Sequence, residues 1–129
     1  MFPWILAAGA FNLALAIFHL SFWQLFGWPK TLAPGGAVNS RITQILNLAI
    51  AYLFVLAGLL CLLFPADMAA SAVGNFWLAS MAGFWLARAV IQPVFFGLRH
   101  PMSVVLFGVF ILGAMVHGMS WATARGIGF

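Results

Sequence analysis

Acidic residues are almost missing from this sequence: 129 residues include one Asp or Glu against five Lys or Arg, and charged residues make up only 5% of the chain. Soluble domains carry about a quarter charged residues. So few charges do not cover a water-exposed surface, whereas a chain that is 66% hydrophobic is readily solvated by hydrocarbon. The composition therefore excludes a water-soluble globular protein and indicates an integral membrane protein. The lone acid is Asp67, so there is no carboxylate pair for acid–base catalysis. Proton-coupled cation export of the small multidrug type, which needs a membrane-embedded Glu, is disfavoured for the same reason.

Cysteine is equally scarce. Cys61 stands alone, which excludes an intrachain disulfide and a Cys-rich metal site, and it is expected simply to pack. No HExxH motif and no Ser/His/Asp set is evident, so an enzyme is the least expected reading. The five cations are scattered without a basic run, so the net charge of +4 mostly reports missing acids and implies no nucleic-acid partner.

Long apolar runs are what the sequence has in abundance. Four of them, Trp4 to Phe26, Ile42 to Phe64, Ala72 to Phe96 and Met102 to Ala124, each meet the length of about 20 residues that a spanning helix requires. Stretches such as Ala49 to Leu56 are apolar on every face, without the alternation of a transmembrane barrel. The breaks are marked by turn residues and charge: Gly27-Trp28-Pro29-Lys30 through Ser40, Pro65-Ala66-Asp67, and Arg99-His100-Pro101. Two of these are too short for anything but antiparallel neighbours. The expected architecture is an all-α, up-and-down bundle of four transmembrane helices forming a single membrane domain over residues 1–129. Ala14-Leu15-Ala16 resembles a cleavage site, but there is no basic segment before it and the apolar run continues past it, so the first span is expected to be retained. Lys30, Arg41 and Arg99 lie on one side and Arg125, Asp67 and the amino terminus on the other, which favours the first side in the cytoplasm and both termini outside it; the expected location is a bacterial inner membrane.

Polar side chains within the spans are costly and mark candidate sites. Counted from the side of the first and third connections, His19, Asn47 and Arg88 all lie at about 10 to 14 Å depth, with Gln24, Gln44 and Gln92 nearer the surface. Three helices thereby contribute to one expected polar pocket: Arg88, Gln92, His19, Asn47, Gln44 and Arg41, with Trp85 deep enough to line it and Trp23 as a further candidate. Arg88 stays protonated and has no acid at its level. Its missing partner is an anion, such as a lipid phosphate, a metabolite carboxylate, an inorganic anion or a carboxylate of another subunit; a quinone carbonyl would also accept from it. The competing structural reading ends the third helix near Gln92 because of Pro93 and lets Arg88 snorkel to the headgroups. His19 is expected either to bond Asn47 and fix packing or to serve the pocket. His117 lies roughly 25 Å deep on the same scale, so bis-histidine haem ligation is disfavoured; the level of His117 instead suits a contact with Asn12. His100 is read as a hydrated loop residue. No cofactor is expected, with haem and quinone left open.

The small residues following Asn75 at spacings of four, Ala79, Gly83 and Ala87, permit close helix approach inside the bundle or between protomers. The function expected from these features is binding or transport of an anionic or amphipathic small ligand in a pocket in the cytoplasmic half. The alternative is a non-catalytic accessory subunit of a larger membrane complex, and a lipid- or quinone-modifying enzyme comes third. Expected partners are membrane lipids and either further copies of the chain or another membrane subunit.

Overall fold

Backbone N–H and C=O groups in hydrocarbon find no water, so a chain this apolar satisfies them within helices. The computed structural model describes residues 1–127 and is helical almost throughout: α1 (Pro3–Leu20), α2 (Phe22–Leu25), a 3-10 helix over Lys30–Gly35, α3 (Ala37–Leu63), α4 (Pro65–Ala70), α5 (Ala72–Phe96) and α6 (Pro101–Ala124). Helices α1, α3, α5 and α6 are long and apolar enough to cross a membrane. The protein is thus a small all-α polytopic membrane protein.

Local chemistry sets the helix ends. Pro3, Pro65 and Pro101 occupy first-turn positions, where a missing N–H costs nothing. The Ser71 hydroxyl caps α5 by accepting from the Gly74 amide at 2.9 Å, and His100 Nδ1 accepts from the Met102 amide at 3.1 Å at the start of α6. Gly36 (φ 93°) and Gly97 (φ 67°) supply left-handed backbone before α3 and after α5.

Three boundaries differ from the apolar runs. The first run does not form one helix to Phe26: α1 stops at Leu20 and α2 follows Ser21, whose hydroxyl donates to the Phe18 carbonyl at 2.6 Å and competes locally with the helix. α3 begins at Ala37, five residues before Ile42, because the polar Asn39-Ser40-Arg41 stretch is helical although it is not apolar. Asn39 Nδ2 supports that first turn by donating to the Gly35 carbonyl at 2.8 Å. The break at Pro65-Ala66-Asp67 is itself the short helix α4.

The long helices form two antiparallel hairpins, α1 with α3 and α5 with α6, joined where α1 packs on α6. Among the described residues, no Cα of α3 comes within 8 Å of one in α5. At the end nearest α4 the bundle is filled by Ile5, Ala8, Cys61, Met68, Leu78 and Val116. A second cluster, Leu15, Ala16, Phe54, Trp85, Ala89 and Phe110, fills the middle. Beyond it, toward the connections at 27–36 and 97–100, the hairpins part and enclose a cavity.

Candidate functional site

Trp85 forms the floor of this cavity. Its ring is stacked between Phe54 (centroids 5.3 Å apart, planes at 22°) and Phe110 (5.8 Å, 14°), and Phe11 meets it edge-on at 5.1 Å. Gly113 permits this packing, since a Cβ there would fall 2.7 Å from the Phe11 ring and 2.8 Å from Trp85 Cγ. The cavity above measures about 570 Å³, within the range of small-molecule sites. Its walls are mainly aromatic, with Phe18, Phe22, Phe54, Phe84, Phe96 and Phe110 among them, and its polar lining comes from His19, Arg88, Gln92, His100 and Ser103.

Arg88 lies one turn above the floor. Its guanidinium carbon sits 4.2 Å from the centroid of the Phe110 ring, a cation–π contact, and its buried Nη1 has no hydrogen-bond partner. α5 runs through Pro93 to Phe96, so it does not end near Gln92 as the snorkelling reading required. Asp67, the chain's only carboxylate side chain, is in α4 at the other end of the bundle. Gln92, only 2% exposed, donates from Nε2 to Ser103 Oγ at 2.9 Å, and its buried Oε1 has no donor. Trp85 Nε1 is likewise buried without an acceptor. Two donors and one acceptor on residues that line the cavity are therefore unsatisfied, and buried polar groups rarely remain so in native proteins.

His19 is held by a reciprocal pair. Asn47 Nδ2 donates to the His19 carbonyl at 2.8 Å, so Asn47 Oδ1 is the atom that accepts from His19 Nδ1–H at 2.7 Å. This fixes the tautomer, and Nε2 carries the lone pair. Asn47 thus stands behind His19 rather than on the cavity wall.

His19, Trp85, Arg88 and Gln92 come together at one cavity, whereas Gln44 and Arg41 do not. Gln44 accepts from Trp23 Nε1 at 2.9 Å and donates to Ser40. Arg41 is exposed beside Lys30 on a separate groove outside the bundle. The helix rotation that turns Asn47 inward carries these two away. Ser103 and Phe110 of α6 and Phe54 of α3 belong to the cavity but carry no sequence signal, because both helices are apolar around most of their circumference there. His100 caps α6 and also lines the cavity mouth, so it is more than a hydrated loop residue.

The second buried polar pair is Asn12 and His117. Asn12 Nδ2 donates to His117 Nε2 at 2.8 Å and to the Ala8 carbonyl at 2.8 Å, while His117 Nδ1–H donates to the Gly113 carbonyl at 2.7 Å. Both imidazole nitrogens are engaged, which leaves no lone pair for a haem iron. Among the described residues, no three of His, Cys, Asp and Glu gather as a metal site. Comparison with protein-family models, curated proteins and solved structures finds no match.

Proposed function

We propose that the protein binds an anionic amphiphile in the cavity between its two hairpins. The observation that carries this reading is the Arg88 guanidinium, set over Phe110 with a buried, unpartnered Nη1 and no carboxylate at its level. An anionic oxygen supplies the missing acceptor through a charge-assisted hydrogen bond, and the aromatic walls accept an apolar tail. The Trp85 stack closes the floor, so the cavity is a cup with its mouth at the 27–36 and 97–100 end. Lys30, Arg41 and Arg99 lie on that side, so the mouth is assigned to the cytoplasm and both termini to the opposite face. Binding is favoured over transport because passage of the ligand would require the Phe54–Trp85–Phe110 stack to part.

Native mass spectrometry on protein extracted gently from its own membranes tests this. The expected result is a retained anionic amphiphile that is lost in Arg88→Leu and kept in Arg125→Leu; equal behaviour of the two variants would remove Arg88 from the site. The accessory-subunit reading draws on a different observation. Ala79, Gly83 and Ala87 face outward, and a Cβ at Gly83 would meet nothing within 4 Å, so a partner helix has room to approach there. Co-isolation of another polypeptide with an empty cavity would favour that role.

A further inference from the structure

The orientation of the Gln92 amide defines what else the ligand carries. Amide oxygen and nitrogen are normally assigned from their surroundings, and here the surroundings are decisive. Ser103 Oγ has one proton, and its contact with the Gly97 carbonyl commits that proton, since a carbonyl only accepts. Toward Gln92, Ser103 Oγ is therefore an acceptor. The amide atom facing it at 2.9 Å is the donor Nε2, and Oε1 is left buried without a donor. Arg88 precedes Gln92 by one helical turn on the same face of α5, a rise of about 6 Å between their Cα atoms, so one head group is able to hydrogen-bond to both side chains. His19 Nε2, fixed as a lone pair by Asn47, is a second acceptor among the lining residues.

Resting on the reading that this cavity holds an anionic amphiphile, we propose that the ligand's head group is an oxygen acid that is anionic and still bears an O–H, as in a single-chain phosphate monoester. Its charged oxygens accept from Arg88 and Trp85, and its O–H donates to Gln92 Oε1. A phosphodiester or a fully ionised carboxylate offers acceptors only and leaves Oε1 unpaired. An unsatisfied buried acceptor of this kind weakens binding by about tenfold.

The test uses the full chain in phosphatidylcholine nanodiscs at about pH 5.5, below the second ionisation of a phosphate monoester near 6. Most of the dodecyl phosphate is then the monoanion, which has the charge of dodecyl methyl phosphate and differs from it in one O–H. Adducts counted by native mass spectrometry are expected to favour the monoester by about tenfold. In Ser103→Ala the amide is free to turn and present Nε2 to an acceptor, so retention of the diester is expected to rise and the ratio to fall to near one. Gln92→Met, which lacks the oxygen, is expected to give the same ratio, with circular dichroism confirming the helix content of both variants. Glycerol 3-phosphate, a head group without a chain, is expected not to be retained.

Equal retention of the two dodecyl esters by the unmodified protein would overturn this inference and leave the anionic-amphiphile reading intact. Retention of neither would overturn both. A tenfold ratio that survives in Ser103→Ala and Gln92→Met would remove Gln92 as the O–H acceptor. Retention of glycerol 3-phosphate at the level of dodecyl phosphate would show a soluble phosphate ester to be the ligand.

Discussion

At the scale of single residues, three of the five buried polar atoms without a hydrogen-bond partner among the described residues belong to side chains that line the cavity, the other two being Asn12 Oδ1 and Trp77 Nε1. Asn47 shows what a completed set does: one side chain gives and takes a hydrogen bond with His19 and so locks both ring and tautomer. Asn47→Leu is expected to cost about 1 to 2 kcal/mol, given that interhelical hydrogen bonds in membranes reach about that value; thermal unfolding followed by circular dichroism measures it, and an unchanged midpoint would show the pair to be idle. The level of this pair was legible in the sequence, because depth along a helix follows from counting at about 1.5 Å per residue. That count put His19, Asn47 and Arg88 in one layer. Rotation about the axis was not legible, and rotation is what sends Gln44 to Trp23 and Arg41 outward. Nor did the sequence indicate which helix supplies the ring under the guanidinium, which is Phe110 of α6.

At the scale of elements, α5 was the most readable. Its apolar run begins at a serine cap and ends before a glycine, and the helix occupies the same residues, Ala72–Phe96. The first run misled because hydropathy does not register a hydroxyl turned back on its own backbone: Phe22-Trp23-Gln24-Leu25-Phe26 remains membrane-compatible on either side of the interruption at Ser21. Glycines divide the helices into close and open faces. Gly9 and Gly58 mark where α1 and α3 approach, since a Cβ at either would come within 2.7 Å of Leu62 or Leu13. At Gly74 a Cβ would run into the backbone of Met68. Gly113→Ala is expected to destabilise by about 1 to 3 kcal/mol through overpacking against Phe11 and Trp85 and to shrink the cavity floor. Gly83→Ala, whose Cβ meets nothing within 4 Å, is expected to be neutral or to stabilise by about 0.5 to 1 kcal/mol. Parallel thermal unfolding of the two variants in one detergent decides this, and a larger loss for Gly83→Ala would mean that the outward face of α5 is covered by a partner.

For the whole molecule, the four-helix membrane architecture follows from composition and run length, whereas the division into two hairpins does not. Nothing in the apolar runs says that α3 and α5 stay apart, because the spacer is a set of aromatic side chains, with Phe54 of α3 meeting Phe84 and Trp85 of α5 across the gap. Aromatic contacts of this kind contribute about 0.5 to 1.5 kcal/mol each beyond their burial. The cavity is what remains where that spacer ends. Its proposed orientation makes a direct prediction: in intact cells a membrane-impermeant maleimide is expected to label Ile127→Cys and to spare Gly35→Cys, with buried Cys61 silent in both. The opposite labelling pattern would place the mouth outside the cytoplasm.

The Trp85 ring, 1% exposed and without a partner for Nε1, has a practical consequence. An indole in an apolar cage with a free N–H emits at the blue end of the tryptophan range, and an acceptor arriving at that N–H moves the emission to the red. The chain therefore carries its own optical gauge of occupancy. Filling the cup should shift the spectrum of the unmodified protein, and Trp85→Phe should abolish the shift; a shift that persists in that variant would locate the ligand elsewhere.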